Sequence, residues 1–386
     1  MSYSAPQEFG ELTFVFSAGE TKPPAGYHAL CSVIPKDGPM TWVKETTPGS
    51  GALAKPKDWR KVTDSDRVLR GLVPVVPEGY RALSALWSSD RIHKAHDILL
   101  DLRGQAFVAQ DDLRCVKEEI GGRSYVAVGA WRGHGGLEIP ETIRPKVVPE
   151  GAGCLLTPGI ATWIYYFDGD YEGEDPGDVY VLDVPMKQVK QGKLEDPVIG
   201  GWDDVPEQTT PVIDREVVVP CIAVVDKGKS TDWIVQNSPA YTVRRKRFYT
   251  RQAVLNLRQN PRDGSVTDSV SWGVSKTASE TYRESVGMSV GFEAGVEVEG
   301  FSAKVTASLS RELGYESTHS VTTMAQESKV VSAPAPGLHL TALYSESHCI
   351  EVVRNDPNHT LASGQEGLTF QANAYYVAPT YPSPQD

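Results

Sequence analysis

Between Val286 and Leu309 apolar and small polar residues alternate almost without a break, and the alternation changes parity once. In the first arm the even positions Val286, Met288, Val290, Phe292, Ala294, Val296 and Val298 are apolar, while Gly, Ser and Glu fill the odd ones. Glu299 and Gly300 interrupt the pattern. In the second arm the odd positions Phe301, Ala303, Val305, Ala307 and Leu309 are apolar. A period of two belongs to strands. A two-residue turn at Glu299-Gly300 sets Val298 opposite Phe301 and puts the apolar residues of both arms on one face. Val298/Phe301, Val296/Ala303, Ala294/Val305, Phe292/Ala307 and Val290/Leu309 are then consecutive apolar rows, and Met288/Arg311 ends them with a charge. Such a face is about ten residues long, and a strand needs roughly 9–11 to cross a bilayer. The opposite face holds Glu293, Glu297 and Lys304 among Ser, Thr and Gly, with Lys304 diagonal to both carboxylates.

A half-buried strand of an ordinary sheet alternates too. Its outer face usually carries more Lys, Arg and Gln than this one does. The Ser/Thr bias continues outward, through Ser271, Ser275, Thr277, Ser279 and Thr281 before the hairpin and Ser317, Thr318, Ser320, Thr322 and Thr323 after it. These stretches read as long strands forming a stem. Composition closes other routes. No run of about 18 apolar residues exists, so a helical membrane span is excluded and a β-barrel is not. The net charge of -12 argues against nucleic acid as a partner. With 386 residues, two or three domains are expected, and 35 glycines and 27 prolines favour short turns over long helices.

The first half carries a repeat. Pro24-Ala25-Gly26-Tyr27-His28-Ala29-Leu30 returns as Pro77-Glu78-Gly79-Tyr80-Arg81-Ala82-Leu83, and more weakly as Pro149-Glu150-Gly151-Ala152-Gly153-Cys154-Leu155. Pro in second place and Gly in third suit a type II turn, because the Gly must take positive φ. Three turn–strand units suggest a three-fold all-β body. Asp90 to Asp101 is the one candidate for a short helix in this half. Residues 187–208 read as a connector, followed by an apolar run from Val217 to Val225.

Five dispersed cysteines with no Cys-x-x-Cys read as buried reduced thiols. The N-terminus has no secretory signal pattern, so the expectation is synthesis in the cytosol, release by another route, and a soluble monomer before insertion. Asp168-Gly169-Asp170-Tyr171-Glu172-Gly173 partly fits a calcium loop, but Val179 stands where a bidentate Glu belongs. His93, His96 and Asp97 lack a further obvious ligand. No metal site, cofactor or enzyme motif is expected. Arg244-Arg245-Lys246-Arg247 could touch anionic headgroups, or could be one strand with alternating charges facing solvent, or a subunit contact satisfying acidic neighbours. Tyr27, Trp42, Tyr80 and Trp87 could stack on sugars, although aromatics near turns are more often core.

Residues 265–344, with Ser/Thr strands around an amphipathic hairpin, resemble the aerolysin/epsilon-toxin superfamily of β-pore-forming toxins. Ser310-Arg311-Glu312-Leu313-Gly314-Tyr315 and Asn237-Ser238-Pro239-Ala240-Tyr241 are similar to stretches of its insecticidal members. Residues 10–185 resemble the vacuolar protein sorting-associated 62 type β-prism, through Pro77–Leu83 followed by Leu113-Arg114-Cys115-Val116-Lys117. Ser84 replaces that family's usual Gly. The resemblances imply an all-β chain with a three-fold β-prism head over residues 1–186, a connector over 187–230, and an elongated tail of long antiparallel strands over 231–386. They imply a toxin that binds a surface receptor, glycan or protein, forms a homo-oligomer and inserts the hairpin into the target-cell membrane. A lectin or adhesin with an extended β-stalk is the alternative.

Overall fold

The computed structural model describes residues 3–18, 22–30, 33–34, 39–61, 70–83, 86–88, 106–107, 109–126, 130–131, 165–166, 178–182, 187–190, 192–291, 295–298, 309, 312–315 and 327–382. These residues form sheets that are antiparallel except for the short parallel pair Ala130–Trp131 with Tyr165–Tyr166, and two short α-helices, so the chain is all-β.

In the N-terminal half Leu12–Ser17 (β1) pairs with Met40–Glu45 (β2), from Leu12 opposite Glu45 to Ser17 opposite Met40. Every residue of β1 is buried, including Thr13 and Ser17, because both faces of the strand are covered. Gln7–Phe9 and His28–Ala29 complete this sheet at its edges. A three-stranded sheet joins Leu86–Ser88, Arg70–Val75 and Asp58–Lys61, and another joins Leu53–Ala54, Cys115–Lys117 and Tyr80–Arg81. The first two copies of the repeat make turns. Tyr27 donates to the Pro24 carbonyl at 3.0 Å and Tyr80 to that of Pro77 at 3.2 Å. Gly26 and Gly79 take φ of 80° and 78°. The glycines are therefore third, as expected, but the prolines stand first rather than second, since one residue separates Pro from Gly. The third copy, Asp90–Asp101, the acidic loop after Asp168, and His93, His96 and Asp97 lie outside the described residues.

The aromatics expected to meet sugars are occupied otherwise. Trp42 is fully buried and donates its indole N–H to Ser17 Oγ at 2.7 Å. Tyr27 is buried with the Lys44 ammonium 4.9 Å from its ring centre. Tyr80 is half-buried and donates its hydroxyl to the Gly51 carbonyl at 2.7 Å. Stacking needs an open ring face, and Trp42 has none. Trp87 lies in the strand Leu86–Ser88, and its side chain is outside the described set.

In chain order the rest contains Lys187–Lys190 (β3), Val212–Pro220 (β4), Thr231–Asn237 (α1), Ala240–Asn256 (β5), Gly264–Trp272 (β6), Lys276–Val286 (α2), Met288–Gly291 (β7), Gly295–Val298 (β8), Glu327–Ala335 (β9), Leu340–Arg354 (β10), Leu368–Val377 (β11) and Thr380–Tyr381 (β12). A six-stranded sheet runs β3-β4-β5-β10-β11, with β12 also on β10. The stretch expected as a connector thus supplies two strands of the main sheet. Val217 and Val219 are wholly buried there, which a solvated linker would not allow. One contiguous core takes Phe9, Leu12, Phe14 and Phe16 from the N-terminal half and Val217, Val219, Tyr241 and Val243 from the main sheet.

The basic run lies on β5, where neighbouring strands neutralise each member. Arg244 bonds Glu216 at 2.6 Å, Arg245 bonds Asp214 from Nε at 2.9 Å, Lys246 bonds Glu351 at 2.5 Å and Arg247 bonds Glu346 at 2.6 Å. A cross-strand carboxylate satisfies each charge inside the chain, so the headgroup-binding reading does not hold. Cys115, Cys221 and Cys349 are free thiols. Burial pushes Cys115 up to about 12 and Cys221 higher still. No helix among the described residues is long and apolar enough to cross a membrane, which says nothing of strands.

Candidate functional site

The two long Ser-rich strands pair in one unbroken register. β6 and β9 run antiparallel from Gly264 opposite Ala335 to Trp272 opposite Glu327, with no bulge. Val266, Val331 and Ala333 pack on Leu343 of β10. On the other face Ser332 Oγ receives the Thr267 hydroxyl at 3.0 Å and lies 2.5 Å from Ser265 Oγ. The chain leaves this ladder at Trp272 and rejoins it at Glu327. Residues 273–326 are therefore one excursion between two paired strands.

The described parts of the excursion fold back onto the main sheet. α2 starts at Ser275, whose Oγ accepts the Ala278 N–H at 3.2 Å, and stops at Gly287 in the left-handed region with φ of 76°. Val274, Tyr282 and Val286 are buried along one face of this segment and join the common core. Tyr282 donates its hydroxyl to the Ile350 carbonyl of β10 at 2.9 Å, and burial pushes that phenol upward. The last carbonyls of a helix have no partner within it. Here Ser363 Oγ donates to Ser285 O at 2.8 Å and Val225 N to Val286 O at 3.1 Å.

Ser363 is held for this by a buried carboxylate. Its N–H donates to Asp226 Oδ1 at 2.7 Å. Arg354 meets both Asp226 oxygens, at 2.6 and 2.8 Å, and the Tyr241 hydroxyl donates to Oδ2 at 2.9 Å. Burial alone would raise the Asp226 carboxyl. The hydrogen bonds from Arg354, Ser363 and Tyr241 outweigh it and hold the group below the usual carboxylate range. Sequence reasoning passed over Asp226, Ser363 and Arg354. No local signal marks them, because the hydrogen-bonded partners lie more than a hundred residues apart in the chain.

The returning end of the excursion is fastened separately. Leu313 donates to the Leu309 carbonyl at 2.9 Å, a helical turn, and both side chains are fully buried in the common core. Gly314 takes φ of 77°, and an added Cβ would lie 2.8 Å from the Arg245 guanidinium. That guanidinium sits 5.2 Å from the Tyr315 ring centre. The Glu346 carboxylate only accepts, so His348 carries its proton on Nε2, 2.8 Å away. Its Nδ1 then receives the Tyr315 hydroxyl at 2.9 Å. Burial holds the His348 imidazole below its usual value. The Glu346 hydrogen bond opposes burial, while Arg245 and Arg247 side with it. The ring is therefore neutral at pH 7. Burial would raise Glu346, but His348 and Arg247 hold it down at about 2.

The expected hairpin is differently arranged in this conformation. Val286 ends α2 rather than beginning a strand, and Leu309 lies in the helical turn. The stem strand expected through Thr277 and Thr281 is the helix α2 itself. β7 pairs with β8, Met288 opposite Val298 and Val290 opposite Val296, so the chain reverses between Gly291 and Gly295 and not at Glu299-Gly300. The physical reason is that alternation fixes the face of a strand but not its register. The first arm is apolar at every even position, so pairing it with itself still sets apolar residues opposite one another, Met288 with Val298 and Val290 with Val296. Glu297 stands opposite Ser289 on the other face. Phe292, Glu293, Ala294, Glu299, Gly300, Phe301, Ala303, Lys304, Val305 and Ala307 lie outside the described residues.

Residues 212–335, from the first residue of β4 to the last of β9, match the model of a family described as Insecticidal Crystal Toxin, P42. No curated protein matches the chain by sequence. The crystal structure of Cry35Ab1 is similar at 12% identity and a TM-score of 0.42, over 98% of this chain and 92% of that one.

Proposed function

We propose that this chain is an insecticidal pore-forming toxin whose excursion, residues 273–326, leaves the main sheet and inserts its apolar hairpin into the target-cell membrane. One observation carries the reading. In an antiparallel ladder each step forward on one strand is a step back on the other. Continuing the β6–β9 register past Trp272/Glu327 with no slip arrives at Val290/Leu309, then Val296/Ala303, then Val298/Phe301, and ends in the two-residue turn Glu299-Gly300. That turn was located from the parity switch alone. The stem in the fold and the hairpin in the sequence thus share one register across the whole excursion. The match of residues 212–335 to an insecticidal toxin family supports the same reading.

Residues 1–186 act as the receptor-binding head, arranged as a three-fold β-prism, and 231–386, together with β3 and β4 of the main sheet, as the oligomerising and pore-forming part. A lone inserted hairpin would leave unpaired backbone groups in lipid, so copies must close a barrel. Val286, Met288, Val290, Phe292, Ala294, Val296, Val298, Phe301, Ala303, Val305, Ala307 and Leu309 face lipid there, with Glu293, Glu297 and Lys304 in the lumen. The function is perforation rather than catalysis. The test is dye release from receptor-bearing target membranes, with electron microscopy of the same membranes. Release together with ring-shaped, detergent-resistant oligomers is expected. Binding without release or rings would overturn the proposal and leave an adhesin with a β-stalk.

A further inference from the structure

The helix α2 carries a strand's sequence. From Ser265 to Glu297 every odd position is Ser, Thr or Gly, except for the charged Arg283, Glu293 and Glu297. The stripe begins on β6, passes through α2 without interruption and continues into β7 and β8. A period of two has no meaning in a helix, where neighbours recur at three and four. On the return side the even positions from Ser302 to Thr322 are likewise polar or Gly. Two strands so patterned, paired in the β6–β9 register, present a polar face broken only at Met324, opposite Ser275.

The same residues also satisfy the helix, and the spacing explains how. The apolar face of this segment is Val274, Ala278, Tyr282 and Val286, each four residues from the next. Four is close to a helical turn and is also even. These residues therefore share a face in the helix and again in the strand. Two further features point the same way. Thr277, Thr281, Tyr282 and Val286 are β-branched or aromatic, which favours strands over helices. At 11 residues α2 is also shorter than the roughly 12–15 that an isolated helix needs even with favourable sequence. Its support is tertiary: the Tyr282 hydroxyl on Ile350 O, Ser363 Oγ on Ser285 O, and Val225 N on Val286 O.

We propose that α2 is one of two folds of this segment, and that on leaving the sheet it becomes a strand that joins β6 to the membrane hairpin. This rests on the pore-forming reading and extends it. The converted stretch lies outside the bilayer, because its even face includes Lys276, Glu280 and Glu284. It forms a stem whose lumen is lined mainly by hydroxyls, with Arg283 set opposite Glu316.

Thr281→Cys combined with Thr318→Cys tests the conversion, since the continued register sets these positions directly opposite. Thr281 is exposed on α2, so the substitution costs the starting fold little. An intrachain disulfide should form under mild oxidant in membrane-bound oligomers, at a yield well above that of the same variant before it meets membrane, which is the reference. The offset pair Ser279→Cys with Thr318→Cys should form none, and the single variants control for native thiols. Far-ultraviolet circular dichroism of the oligomers should show the helical signal reduced. If wild-type protein releases dye while the register pair stays unlinked and the helical signal persists, the conversion is wrong and the pore stands. If wild-type protein releases no dye from receptor-bearing membranes, the pore reading fails and this inference fails with it.

Discussion

Arg354→Met leaves the Asp226 carboxylate with three neutral hydrogen-bond donors, from Tyr241, Ser363 and Gly228, and no cation. The Asp226 side chain has 0% of its surface exposed and that of Arg354 6%, so water does not replace the lost partner. Two charge-assisted bonds, at 2.6 and 2.8 Å, disappear while the Tyr241 hydroxyl and the Ser363 and Gly228 N–H groups remain. Breaking a buried pair by removing one member costs about 3–5 kcal/mol, most of it from the stranded charge. Adding Asp226→Asn removes that charge and keeps an acceptor for Ser363. The double variant should therefore recover about 1–3 kcal/mol of the single variant's loss. Urea unfolding of the wild type, both single variants and the double variant at pH 7 measures the coupling. A single variant within about 1 kcal/mol of wild type, or a double variant less stable than Arg354→Met by the full cost of Asp226→Asn, would refute a buried clamp at this place. Because the clamp also positions Ser363 on the end of α2, Arg354→Met should lower hydrogen-exchange protection at the Val225 amide.

Four other outcomes follow from the geometry. Glu346 is held at about 2 against an ordinary 4.5, so its contribution of about 3 kcal/mol is complete above pH 4.5 and is lost as pH falls towards 2; Glu346→Gln should flatten the stability curve in that window. Gly287→Ala puts a Cβ at positive φ and 3.1 Å from Val225 Cγ2, and should cost about 1–2 kcal/mol in thermal or urea unfolding. Val296→Asp places a carboxylate on the proposed lipid face, where charge costs up to a few kcal/mol per protomer, so dye release should vanish while receptor binding persists. In the proposed lumen Glu293 and Glu297 against Lys304 leave one negative charge per protomer, and reversal potentials in planar bilayers should favour cations.

The charge placements show where pattern and fold part company. The run Arg244–Arg247 was legible as a basic strand segment, but its partners Asp214, Glu216, Glu346 and Glu351 come from strands on either side of β5, and only pairing register brings them there. Trp42 and Tyr27 were visible as aromatics near turns. Whether such a ring is core or contact depends on what covers it, and β1 and Lys44 cover these two. Asp226, Arg354 and Ser363 gave no signal at all, for each is an ordinary residue until the fold joins distant segments.

By itself the sequence determined the all-β character, the absence of an apolar span long enough for a helix, and the two faces of the Val286–Leu309 segment. Those depend on side-chain period and composition, which are local. It also predicts a turn at Glu299-Gly300, the place to which the β6–β9 register extrapolates. Only the tertiary structure decided that this segment is folded back, with α2 helical and β7 paired to β8. A two-residue period tolerates more than one register, and a four-residue apolar spacing suits helix and strand alike. The choice therefore falls to contacts made elsewhere in the chain, at Ile350, Val225 and Ser363, which hold the segment against the main sheet.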